Sequence, residues 1–266
     1  MQALIAPRKF ATGAEDRMRF ESQNADADKT QRTYARLAGF LFLGVIILAL
    51  GSGFILSHVA GSGTFVETAK RIAASEHLYR AALAGAVIVS LSSALLAFAL
   101  YATLKPVNSF LAQLAMIFSL GDSFLAMVVR TCSFVRVHLY TSAQNPGNSM
   151  IPTVALLDLM RSIAGTAENI GGISFGIGSL LFFYLFLKSN YVPKVISALG
   201  LAASVIWACL YFATLVFPEG HALFLRVCLP PMALAEVITG FYLVLFGIRA
   251  EVPEQSTRPA SAASRV

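Results

Sequence analysis

Six stretches of this sequence, residues 37–57, 81–104, 109–129, 170–187, 195–217 and 227–248, run for 18 to 24 residues almost without charge. A helix rises about 1.5 Å per residue, so about 20 apolar residues cross the ~30 Å hydrocarbon layer of a bilayer. A backbone in lipid must satisfy its own N–H and C=O groups, which leaves helices and closed barrels. The runs are too long and too continuous for the alternating strands of an outer-membrane barrel. The expectation is an all-α polytopic membrane protein with six transmembrane helices. Composition excludes the other classes. At 57 % hydrophobic and 13 % charged, against roughly a quarter charged in soluble domains, the chain is neither a soluble enzyme nor a disordered segment. Three cysteines in 266 residues are too few, and odd in number, for a disulfide scaffold.

The first run reads as a retained anchor, since a polar stretch precedes it and it exceeds the roughly 7–15 apolar residues of a signal peptide. Orientation follows from Lys and Arg, which favour the cytoplasmic side. With the N-terminus inside, thirteen basic residues fall on the inner side and seven on the outer. Both termini are therefore expected in the cytoplasm, in a bacterial inner membrane. Tyr34, Tyr101, Tyr184 and Tyr191 then sit at the inner interface, and Tyr79 and Tyr140 at the outer. The net charge of +6 is a topology signal and an attraction to anionic lipid, so the expected partner is the lipid bilayer and not nucleic acid.

Residues 1–36 mix charged and amide side chains without an apolar stripe, and residues 250–266 are rich in Pro, Ala and Ser. Both read as disordered cytoplasmic tails around a transmembrane domain at 37–249. Pro106 and Pro193 mark short inner turns. Between spans one and two, Thr64 and Glu67 have capping-box spacing, and Phe65, Ala69, Ile72 and Ala73 share one helical face. An amphipathic outer helix is expected there, lying on the membrane or capping the bundle. In the connection before span four, Asn145, Pro146 and Gly147 mark a turn, and a helical pattern after Pro152 runs toward the span. Gly172 and Gly176 lie at i and i+4, spacing that lets helix backbones approach, within one chain or across a homodimer.

Of the fourteen acids, only Asp122 and Glu236 fall inside a span. An ionisable group there is expensive enough to count as a functional candidate. Asp122 sits three residues outward of the centre of span three, about 4–5 Å by helix rise. Glu236 sits at a similar depth in span six, or further out if Pro230 and Pro231 delay that helix. Arg130, at the end of span three, and Glu168, before span four, lie above them. Together the four predict a polar pocket opening outward from mid-bundle, suited to a small-molecule ligand or a proton. The competing expectation is a structural or assembly protein whose acids only fix helix register.

All four histidines, His58, His77, His138 and His221, fall on the outer side, but each belongs to a different connection and none has metal-ligand spacing. No metal site is expected. Cys132 and Cys228 lie near the outer face and Cys209 within span five, and all three read as small buried apolar residues. Gly172 to Gly178 has glycine-rich spacing but follows no strand, so it is packing and not a dinucleotide loop. No nucleophile is paired with a base in one motif, so no catalytic residue and no cofactor is assigned, and an enzyme is the weakest reading.

The stretches RLAGFLFLGVIILAL in span one, AKRIAASEHLYRAAL before span two, ALYATLKPVN after it, LKSNYVPKVISALG between spans four and five and PPMALAEVITGFYLVLFGI in span six carry a family resemblance. From Arg36 to about Arg249 the chain resembles the bacterial six-pass membrane proteins grouped as the domain of unknown function numbered 4386. FSLGDSFLA stands in span three where that resemblance leads one to expect an Arg and a Gln. The resemblance implies six spans and no assigned activity, and it carries over no catalytic residue.

Overall fold

Helices follow the six apolar runs and overshoot most of them, because the backbone ladder continues past the lipid-facing stretch wherever no breaker stops it. A computed structural model describes residues 13–142, 150–217, 219 and 221–248. Among these residues there are seven helices and no strand: α1 (Gly13–Ala60), α2 (Phe65–Ala74), α3 (Glu76–Leu104), α4 (Ser109–Ser142), α5 (Met150–Ser189), α6 (Lys194–Val216) and α7 (His221–Phe246). All except α2 contain a segment long and apolar enough to cross a membrane. The chain is thus an all-helical polytopic protein with six membrane-spanning helices.

The ends of the helices show which local signals decide. Lys105–Pro106–Val107 breaks α3 from α4, and Asn108 then caps α4 by accepting the Leu111 N–H on its side-chain oxygen at 2.9 Å. Asn190, with φ 55°, reverses the chain after α5, and Pro193 is the N-cap of α6. Gly247 ends α7 with φ 67°, its N–H donating to the Leu243 carbonyl at 3.0 Å. Pro230 and Pro231 do not delay α7; they lie inside it. Each removes a donor, so the carbonyls of Arg226 and Val227 lose their helical partners.

Two sequence expectations change. Residues from Gly13 onward, read as part of a disordered tail, are helical and continuous with the first span. The stretch lacks proline, so nothing in it breaks the backbone ladder that continues into the first span. Its later part is also tied down: the Gln31 side-chain N–H₂ donates to the Thr103 carbonyl at 2.7 Å and to the Tyr191 hydroxyl at 3.1 Å. Residues 1–12, the tail at 250–266 and the turn at 145–147 lie outside the described residues. The second change is length. α4 and α5 have 34 and 40 residues, and α5 incorporates the helical pattern after Pro152. Hydropathy sees only the lipid-buried part of such helices.

The six spans form a ring in chain order. Each packs on its sequence neighbours, and α7 returns to α1 to close the circle. At the end with the Lys105–Asn108 and Asn190–Pro193 turns, hereafter the turn end, the ring is filled by a core that includes Phe42, Leu100, Leu104, Phe186, Val192 and Leu243. At the opposite end α2 lies against α4, α1 and α3. Its capping box is formed, with Glu67 N–H to Thr64 Oγ1 at 3.4 Å and Thr64 N–H to Glu67 Oε2 at 3.0 Å. Arg71 fastens the preceding loop by donating to the carbonyls of Ala60 and Ser62. The apolar face of α2 buries Ala69 and Ile72 against Val59, Leu83, Val137 and Leu157, so this helix caps the bundle. Between the two packed ends the ring is hollow.

Candidate functional site

The wall on one side of the hollow is a helix with glycines on two faces. A Cβ at Gly171 would come within 3.1 Å of Asp122 Oδ1, and one at Gly178 within 3.0 Å of the Ala115 carbonyl, so these positions face α4. Gly172 and Gly176 face α6 instead: the Tyr211 ring occupies the space beside Gly172, and a Cβ at Gly176 would lie 2.9 Å from Ala208 N. The i, i+4 glycine pair is therefore filled within the chain by α6. Polar bonds fasten the same seam, with Trp207 Nε1–H donating to the Gly172 carbonyl at 3.1 Å and the Ser204 hydroxyl to that of Ser179 at 3.1 Å. Thr214 donates to Asn169 Oδ1 at 3.2 Å. In lipid such close backbone contact and hydrogen bonding take the place of a hydrophobic driving force between helices.

Every one of the six spans contributes to a cavity of about 420 Å³ in the α2 half of the ring. Asp122, Glu236, Glu168 and Arg130, which the sequence singles out from three different helices, all line it. A smaller chamber of about 110 Å³ continues toward the turn end and shares Asp122 and Glu236 with the larger cavity. The two acids therefore stand where the chambers meet. Phe42, Phe175, Phe182, Phe183 and Phe186 line the smaller chamber, so the space beyond the acids is mainly aromatic and aliphatic.

The charged groups act on one another without pairing closely. Arg130 is within electrostatic reach of Glu168 and Asp122, and Glu236 within reach of Asp122. Among the described residues, no ion pair joins any two of the four, and neither Asp122 nor Glu236 makes a side-chain hydrogen bond. The buried Nε of Arg130 has no hydrogen-bond partner. An unmet buried donor costs about 1–3 kcal/mol, so it calls for an acceptor in the cavity, for which a water molecule suffices. The hydroxyls beside the acids are already occupied: Ser123 donates to the Ser119 carbonyl at 3.0 Å and Thr239 to the Ala235 carbonyl at 2.7 Å. They leave the carboxyls as the open polar groups of the floor.

Sequence reasoning missed the aromatic wall. Trp207 stacks on Tyr211 with centroids 5.1 Å apart and meets Phe175 edge-on at 5.3 Å, and all three line the larger cavity. The available signal was Trp207 and Tyr211 at i and i+4 in mid-span, two aromatics with polar atoms that need a partner when buried. The described histidine side chains and the cysteines do not line the cavity. His58 is exposed and stacked on Phe54, and no cluster that could hold a metal occurs among the described residues. His221 lies in α7, but its side chain is outside the described ones. No disulfide joins Cys132 to Cys228, both of which are buried, whereas Cys209 is exposed on the outside of α6, not buried.

No curated protein and no solved structure matches this sequence. A family model does match, over residues 37–247, which takes in all six spans and the four charged residues of the cavity. The chain belongs to the family described as Domain of unknown function (DUF4386).

Proposed function

We propose that this protein binds a small molecule or a proton in the central cavity and senses or transports it across the membrane. The supporting observation is the meeting of Asp122, Glu236, Glu168 and Arg130 around one cavity, with the carboxyls unbonded among the described residues. Interior acids that served only to fix helix register would be expected to bond to a neighbouring helix. The balance of thirteen basic residues against seven supports a bacterial inner membrane with both termini cytoplasmic, so that the α2 end faces outward. In that orientation the larger chamber is on the outer side and the acids form its floor.

The test is a thermal-shift screen of diverse small molecules on purified protein and on the isosteric double variant Asp122→Asn, Glu236→Gln. The expected result is at least one compound that raises the melting temperature of the native protein by several degrees and leaves the variant unmoved. A screen in which no compound distinguishes the two proteins, while both remain monodisperse and helical, overturns the reading.

A further inference from the structure

The ring is not equally closed at all six seams. α1 and α7 meet at the turn end, where a Cβ at Gly39 would lie 2.8 Å from both the Gly240 carbonyl and Val244 N, and Gly240 lies against Phe42 and Leu43. Moving toward the α2 end along the same face of α1 leads to Ile46, which is half-buried, and then to Leu50, which is 68 % exposed. Leu229 of α7 is 50 % exposed. Leu50, Ala49 and Leu229 are at once exposed on the outside of the bundle and part of the cavity lining. These residues belong to segments long and apolar enough to cross a membrane, so what they are exposed to at that depth is lipid. The cavity thus opens sideways between α1 and α7, as well as at the level of Glu168, which is likewise exposed and part of the lining.

Charge and shape indicate what passes through. The lining carries three carboxyls, of Asp122, Glu236 and Glu168, against the single guanidinium of Arg130. Arg130 is within electrostatic reach of both Glu168 and Asp122, and with one guanidinium against three carboxyls the lining as a whole favours a cation. The aromatic faces of Trp207, Tyr211 and Phe175 stand beside them, and such faces attract ammonium groups. Beyond the acids the chamber is lined mainly by phenylalanine and aliphatic side chains, with Ser93, Ser119 and Ser179 among them, and accepts an apolar group.

We propose that the ligand is a lipid-soluble amine, which reaches Asp122 and Glu236 from the bilayer through the gap between α1 and α7. Its ammonium group lies between the two carboxyls and an apolar part extends into the phenylalanine chamber. This rests on the cavity being a binding site and adds the ligand class and the route.

Trp207 is the only tryptophan and stands in the cavity wall, so its fluorescence reports occupancy from within. The protein in phosphatidylcholine vesicles is titrated with a straight-chain primary amine brominated at its tail, a quencher. The matching brominated alcohol and fatty acid, and a short brominated amine that stays in water, are run in parallel. The long amine is expected to quench Trp207 at a membrane mole fraction at least tenfold below that of the alcohol or the acid. Asp122→Asn and Glu236→Gln should each reduce this preference at least fivefold, with melting temperature and helicity checked for both. Ala233→Phe, which narrows the gap from the α7 side, should slow the onset of quenching at least tenfold. Equal quenching by the alcohol or the fatty acid overturns the amine class. Quenching by the short amine at equal concentration, or an onset unaffected by Ala233→Phe, overturns the lateral route. If the screen described above yields acid-dependent ligands and none is a lipid-soluble amine, this inference fails and the binding site stands.

Discussion

The α5 wall and the α1–α7 seam both rely on glycine, and they differ in how far the contact runs. On α5, glycines spread over two turns press alternately on α4 and α6, and hydrogen bonds from Trp207, Ser204 and Thr214 fasten the α6 side at successive depths. On α1, Gly39 meets α7 through backbone atoms, whereas Gly53, about four turns on and near the same face, has nothing within 4 Å of where a Cβ would be. The same residue type therefore closes one wall along its length and leaves the other thin beyond its first contact. A missing side chain brings backbones together only where a second helix is present to fill the space. Where none is present, glycine only weakens the helix, by about 0.5–1 kcal/mol relative to alanine.

Three substitutions can break or sharpen that contrast. The largest effect is expected from Gly176→Leu. Its side chain would have to displace the Ala208 backbone, which cannot swing aside as a flexible side chain would. A loss of about 3 kcal/mol or more, toward the upper end for overpacking, should show as a large fall in melting temperature or in the yield of monodisperse protein. Gly39→Ala should cost less, about 1–3 kcal/mol, because one methyl group meets the Gly240 carbonyl at a seam with a free end to relax. The same melting assay checks it, and a cost equal to that of Gly176→Leu would mean that the two seams are equally rigid. Gly53→Ala should be neutral or stabilising by up to about 1 kcal/mol, as the gain in helix propensity meets no steric opposition. A clear loss of stability there would show that something packs on the outer half of α1 and that the gap is covered.

The features legible in the sequence were those with local causes. Six spans follow from apolar run length, and α2 from Thr64, Glu67 and a helical stripe that begins at Phe65. The candidate acids stood out because charge inside a span is costly. Other features depended on distant partners. That Asp122 and Glu236 meet requires α7 to return to α1, a contact between chain ends about 200 residues apart that no periodicity encodes. The helix through residues 13–36 was hidden because its polar composition resembles a solvated tail. Part of what holds it, the bonds from Gln31 to Thr103 and Tyr191, lies 72 and 160 residues away in sequence. Trp207 and Tyr211 lie in an apolar run, where an aromatic carries no mark of which side it faces.

The ring order also bears on assembly. Five of the six seams join helices that follow one another in the chain, so each hairpin can pack as soon as its second helix is inserted, at little loop-closure cost. The sixth seam, α1 against α7, has to wait until the whole chain is made. Until then Asp122 faces an open-sided trough continuous with the lipid, and Glu236 is not yet in place. Enclosure of the two acids is thus the final event of folding, and it depends on a contact concentrated around Gly39 and Gly240. A substitution that breaks this contact would leave the other five seams, and so all six spans docked in a row, in a protein that inserts yet does not enclose its acids.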